Sequence, residues 1–301
     1  MRKYSDLLRK YDLKLNKIQI IGKATIIDTD KGKYVLKPKN RKSNNNDIFK
    51  YLNSRSFNYY PRIYSDSQDD YEIIEYVEEV DEPKEQKISD LIEIVSLLHN
   101  KTTYYKDVDE DDYKKIYEDI RNNIEYLTEY YNDVLEIIES KVFMSPSEYF
   151  FVRNVSKIYG SLNYCIREIE KWYEIISKKR KQRFVVLHNN LELSHFIKNQ
   201  NSYLLNWEKS RIDIPIFDLY KLYKKHALDF DFVSLLKQYE KNYPLLEEER
   251  LLFFILISLP DKIEFDEPEL KLCIKISKSL EYMYKTEKLL SPYYSENSKQ
   301  N

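Results

Sequence analysis

Chemistry-bearing side chains crowd into one stretch of the chain, residues 187–219. It reads Leu187-His188-Asn189-Asn190-Leu191-Glu192-Leu193-Ser194-His195-Phe196-Ile197, then Leu204-Leu205-Asn206-Trp207-Glu208, and closes with Asp213-Ile214-Pro215-Ile216-Phe217-Asp218-Leu219. A carboxylate can take a proton from an attacking hydroxyl, a contribution typically worth ~10²- to 10⁴-fold, whereas a carboxamide cannot. Magnesium prefers charged carboxylate oxygens, and imidazole suits softer metals. Asn190, His195 and Asn206 offer amides and a ring nitrogen, and Glu192 and Glu208 are the nearest carboxylates that could substitute as a base. Glu192 lies two residues past Asn190, where extended backbone would aim it toward a cleft.

The first half of the stretch resembles the His-Gly-Asp-Leu-His-Pro-x-Asn-hydrophobic catalytic loop of the aminoglycoside phosphotransferase and choline kinase group. The second half resembles the Ile-Asp-Trp-Glu metal-binding segment of that group and its Asp-Pro-x-x-Asp-Leu continuation. The spacing from Trp207 through Pro215 to Asp218 fits without gaps. The overall layout looks closest to the bacterial spore-coat kinase-like branch. The resemblance places the catalytic-base aspartate on Asn190, the metal-binding asparagine on His195 and the second metal-binding aspartate on Asn206. It gives His188 the role of propping the loop through a hydrogen bond, and Asp218 that of a structural aspartate pinning the loop. Phosphoryl transfer needs metal ions on the phosphates and a carboxylate on the nucleophile. With those positions changed, the resemblance implies a pseudokinase: ATP is the candidate cofactor, and magnesium lacks its usual ligands.

Such a loop needs two lobes to hold it. The first eighty residues read as β-rich: Lys17–Ile21, Ala24–Asp28, Tyr34–Lys37, Arg62–Tyr64 and Tyr71–Tyr76 are strand candidates. Asp30-Lys31-Gly32-Lys33 is a hairpin signal, glycine supplying positive φ. Gly22 marks the join of the first two strands. Residues 41–54 look helical, with Ser43 and the polar stretch Asn44 to Asp47 offering caps, and residues 66–70 look like a turn. The chain then turns helical: apolar residues from Ile88 to His99, two long stretches at 110–141 and 146–180, and a run from Phe217 to Tyr284. The tail after Pro292 reads as polar and frayed. The expected fold class is α+β, a bilobal protein kinase-like fold. Its N-lobe (1–80) has five strands and one helix; its C-lobe (81–301) is mostly helical and carries the loop.

Within that layout Lys37 takes the place of the phosphate-binding lysine. Asp47 is its candidate acidic partner, or a first-turn charge favoured by the helix dipole. Glu75-Tyr76-Val77 would form the hinge that offers backbone groups to an adenine. No glycine-rich phosphate loop is present.

Composition narrows the classes further. Lys plus Arg is 49 and Asp plus Glu is 51, so a net charge of -2 gives no support for a nucleic-acid binder. The dense basic cluster from Lys178 to Arg183 reads as a solvated helix end. Cys165 and Cys273 are too far apart in sequence to suggest a disulfide framework or zinc site. No apolar run approaches the ~20 residues of a membrane span, and the first residues lack a signal peptide's apolar stretch. The expectation is a cytoplasmic protein, or one of the spore coat by resemblance, that meets a protein partner rather than nucleic acid or membrane. A scaffold without catalysis, a kinase using Glu192 or Glu208, and a metal-independent ATP sensor all remain open at this point.

Overall fold

Period-two alternation along residues 24–29 buries Thr25, Ile27 and Thr29 on one face of a strand. In the computed structural model, which describes residues 2–21, 24–38, 45–65 and 69–297, that strand is β2 (Ala24–Thr29). It pairs antiparallel with β1 (Leu15–Ile21) and β3 (Gly32–Pro38), and β4 (Tyr71–Glu75) completes a sheet of order β1-β2-β3-β4. The β2–β3 turn is tight: Thr29 faces Gly32, and Gly32 takes φ 124°, a region closed to other residues. The Thr29 hydroxyl locks the turn, accepting from Lys31 N–H and donating to the Gly32 carbonyl.

The sheet differs from the expectation in one strand. Arg62–Tyr64 contributes a single bridge, Ile63 to Ile74, with Tyr64 N–H donating to Ile73 and Glu75 N–H to Arg62. Pro61 precedes it without an N–H to extend the ladder. The expected join at Gly22, the caps Ser43 and Asn44 and most of the turn at 66–70 lie outside the described residues.

A helix that the sequence reading did not anticipate, α1 (Arg2–Lys10), precedes the sheet. Its Tyr4, Leu7 and Leu8, with Tyr11 just beyond, recur at helical spacing and pack on Ile27, Leu36 and Ile73. Asp69 ties its end down through Lys10 and Tyr11. α2 (Asn45–Ser54) and α3 (Lys84–Thr102) follow in order.

Contacts divide the chain into two units, Met1–Thr102 with Val186–Ile212, and Thr103–Val185 with Asp213–Asn301. The first holds the sheet, α1 to α3 and a hairpin of β7 (Phe196–Lys198) and β8 (Ser202–Leu204). Val80 N–H bonds the Lys198 carbonyl, and Leu204 N–H bonds that of Tyr59, so the hairpin is anchored on both sides.

The second unit is mostly helical and carries β5 (Tyr104–Asp107), paired antiparallel with the first residues of β6 (Lys181–Leu187). α4 (Glu110–Glu139) begins at the N-cap Asp109, and α5 (Pro146–Ile176) begins with a capping box of Ser145 and Glu148 and proline at its first turn. α6 (Ile216–His226), α7 (Phe232–Asn242), α8 (Glu247–Ser258) and α9 (Glu269–Asn297) complete it. Two expectations are corrected here. The chain beyond Pro292 is helical to Asn297, because Tyr293 bonds Glu240 and Tyr294 bonds Tyr164. The basic cluster is not a solvated helix end throughout. Arg183 sits in β6 (Lys181–Leu187), buried against Glu249 and stacked 4.1 Å over Tyr243. No helix among the described residues is long and apolar enough to cross a membrane.

Candidate functional site

Extended backbone at the end of β6 delivers the loop that starts at His188. His188 is fully buried and donates from Nε2 to the Leu205 carbonyl at 2.8 Å. Its ring meets the Trp207 indole edge-on, centroids 4.8 Å apart. Asn189 and Asn206 both adopt left-handed backbone, at φ 60° and 63°, a region asparagine tolerates better than most residues. Their side chains hold the turns in place. Asn189 Nδ2 donates to the Lys209 carbonyl at 2.7 Å, and Asn206 Oδ1 accepts from Lys37 Nζ.

The positions assigned to base and metal lie close together and bind one another. His195 Nδ1 donates to the Asn190 carbonyl at 2.8 Å. Asn190 Nδ2 reaches the Asn206 carbonyl at 3.5 Å, and Leu205 N–H donates to the His195 carbonyl. Glu208 Oε1 lies 3.4 Å from Lys37 Nζ, with the two side chains 38% and 25% exposed. One lysine from β3 thus meets two groups of a loop 169 residues away in sequence.

This donor set does not fit magnesium. The ion takes hard oxygen ligands, above all carboxylates, with retained waters. Here an ammonium already occupies the Asn206 amide oxygen, the His195 Nδ1 is engaged, and Asn190 offers a neutral amide. Among the described residues no group of three or more His, Cys, Asp or Glu converges as a metal site would.

Beside Lys37 lies a partly open pocket of about 140 Å³, all of it in the first unit. Val35, Ile63 and Ile74 line it from the sheet, Ile197 and Leu204 from the hairpin, and Glu75-Tyr76-Val77 along the connector that leaves β4. Trp207 forms an aromatic wall, packed against Phe49, Phe57 and Tyr60 at 5.9–6.2 Å between centroids, and anchored by Nε1–H to the Leu204 carbonyl at 2.8 Å. Small-molecule sites usually span roughly 300–1,000 Å³, so this one is sized for a single ring system.

Of the residues singled out from the sequence, Lys37, Glu75, Val77, Asn206 and Glu208 line this pocket. Asn190, His195 and His188 belong to the loop beneath it. Glu192 is extended, accepts from the Ser194 hydroxyl at 3.4 Å and is not among the lining residues. Asp47 sits exposed in the first turn of α2. Asp218 is fully buried in the first turn of α6, in the second unit. The apolar walls, Phe49, Tyr60, Ile63 and Ile197, were not singled out. Their types are common throughout a chain with 29 tyrosines, and no local pattern marks them as pocket-facing.

No family model matches the sequence, and no curated protein matches it. Solved structures do match. An aminoglycoside phosphotransferase from Alicyclobacillus acidocaldarius superposes with a TM-score of 0.68 at 12% identity, covering 96% of this chain and 94% of that one. The AMP-bound spectinomycin phosphotransferase gives 0.52 at 13% identity, covering 94% of each chain. An aminoglycoside phosphotransferase homologue from Ralstonia eutropha JMP134 gives 0.50 at 14% identity, covering 95% of this chain and 98% of that one. At such identities the likeness speaks for architecture, and the chain has the kinase-like fold of the aminoglycoside phosphotransferases.

Proposed function

We propose that the protein is a pseudokinase that binds a purine nucleotide without metal and transfers no phosphoryl group. The observation that carries this reading is the Lys37 ammonium, seated on the Asn206 amide oxygen and beside Glu208 at the end of an apolar pocket. The pocket supplies flat apolar and aromatic walls for a base, and the connector at Tyr76 and Val77 supplies backbone groups beside it. Lys37 supplies the positive charge that phosphates need. Asn190 cannot take a proton from a nucleophile, so the step that would follow binding in a kinase has no base at that position. The AMP-bound relative supports the nucleotide assignment.

Binding without turnover suits a sensor or interaction protein whose nucleotide-bound state is read by a protein partner. A spore-coat role is the finer reading suggested by the likeness of the overall layout to the spore-coat kinase-like branch, and localisation of the tagged chain in sporulating cells tests it. The binding test is a thermal-shift titration with ATP in EDTA and in excess magnesium, since a ligand of the native state stabilises it by mass action. A saturable shift that is the same in both buffers and reduced in Lys37→Ala is expected, with no release of the γ-phosphate. A shift that requires magnesium, or γ-phosphate released by the pure protein, would overturn the reading and direct attention to Glu192 and Glu208.

A further inference from the structure

A larger cavity than the nucleotide-type pocket lies wholly in the second unit, in a groove of about 710 Å³ between α5, the end of α8 and α9. That volume falls within the roughly 300–1,000 Å³ of small-molecule sites. Along α5 its lining residues Lys157, Gly160, Tyr164 and Arg167 recur at helical spacing, and the helix rises about 15 Å between the first and last. Along α9, Leu280, Met283 and Leu290 face the same space.

Gly160 is the informative residue. The chain has three glycines, and this one sits inside a long helix, where glycine is less stable than alanine. A Cβ built there meets nothing within 4 Å, so close packing does not require its absence, and its backbone has no positive φ to accommodate. What the missing side chain does is leave this exposed part of the groove lining unfilled.

The lining also has a polarity. The Tyr164 and Tyr294 hydroxyls bond each other at 2.6 Å, and the Tyr282 hydroxyl donates to the Ile257 carbonyl at 2.9 Å. Their polar tips are engaged, and Arg167 and Lys224 lie over the Tyr164 and Tyr282 rings, so apolar contact for a ligand falls to Leu280, Met283 and Leu290. Arg167 is paired with Glu168 at 2.8 Å. Lys157 is exposed, and among the described residues no carboxylate pairs with it. Glu287 lines the groove from α9 and disfavours an acidic group beside it.

We propose that this groove binds a small amphipathic anion. Its aromatic or aliphatic body lies over Gly160 against Met283 and Leu290, and its acidic group reaches Lys157. The test uses the native full chain and the fluorescent probe 1-anilinonaphthalene-8-sulfonate, titrated well below the melting temperature and displaced with dodecanoate. Saturable single-site binding is expected. Gly160→Leu fills part of the groove and should weaken it about tenfold or more by displacing the ligand's body from Met283 and Leu290. Lys157→Glu should weaken it several-fold while leaving the uncharged probe N-phenyl-1-naphthylamine unaffected. Gly160→Ala should keep the site and raise the melting temperature, as helix propensity requires. The absence of saturable binding, or binding equally strong in Gly160→Leu and Lys157→Glu, would overturn the proposal. Should Gly160→Leu fail to melt cooperatively, the exposed Lys157→Glu decides alone.

Discussion

Neutralising Glu208 should tighten nucleotide binding, whereas in a metal-dependent kinase it would weaken it. Glu208 holds Lys37 at 3.4 Å, and phosphate oxygens must compete for the same ammonium. At that distance the Coulomb attraction is about 1.2 kcal/mol at the dielectric constant of water. Half-exposed pairs of this kind are worth about 0.2–1 kcal/mol once solvent and side-chain entropy are counted. Glu208→Gln returns that amount to the nucleotide, a gain of roughly 1.4- to 5-fold in affinity. Lost repulsion between Glu208 and the phosphates acts in the same direction. Lys37→Ala acts oppositely. A hydrogen bond to a charged group contributes about 1.5–3 kcal/mol, from which the lost pairing with Glu208 is subtracted. About 0.5–2.8 kcal/mol remains, or roughly 2- to 100-fold weaker binding. Calorimetric titration with ATP in EDTA measures both variants. If Glu208→Gln weakens binding as Lys37→Ala does, the carboxylate is helping to hold the nucleotide, and the reasoning above fails.

Three further outcomes follow from the same geometry. Asn190→Asp with Asn206→Asp restores two carboxylates at neighbouring positions, so the melting temperature of the double variant should rise with added magnesium while that of the parent does not. Glu249→Ala strands the Arg183 guanidinium, 9% exposed against its partner's 2%. Urea unfolding should show a loss of about 3–5 kcal/mol, while the paired change Arg183→Met with Glu249→Leu should cost far less. Glu148 has its carboxyl pKa held below the ordinary 4.5, first by Lys141 and then by the Ser145 N–H. A folded-state pKa below the unfolded one gives stability that is present above pH 4.5 and lost as the pH falls through the depressed value. Glu148→Gln should therefore melt earlier than wild type at neutral pH, and the two melting temperatures should converge in acid.

Much of the fold was legible because local pattern carries it. The hairpin around Gly32, the alternation in β2 and the helical stripes of α3 to α5 each depend on neighbours within a few residues. Where long-range packing decided, the reading stopped short. α1 is stabilised by Ile27, Leu36 and Ile73, none of which lies near it in sequence. The end of α9 is held by Tyr164 and Glu240 rather than by its own polar residues. Arg183 looks like one more solvated cation in a run of them until Glu249, 66 residues on, is seen beside it.

The candidate site divides along the same line. Residue type alone fixed what the loop is able to do chemically: Asn190 and Asn206 are amides wherever they lie, so neither can act as a base or bring a negative charge to a metal. The sequence could not say that Lys37 would come to rest on Asn206 and Glu208, nor that Phe49, Ile63, Ile197 and Trp207 would close one pocket over it. Those residues come from segments far apart in the chain, and their meeting depends on sheet register, on the anchored β7–β8 hairpin and on two asparagines in left-handed turns. Protonation chemistry belongs to a side chain, but the field and the walls around it belong to whatever the folded backbone brings within a few ångströms.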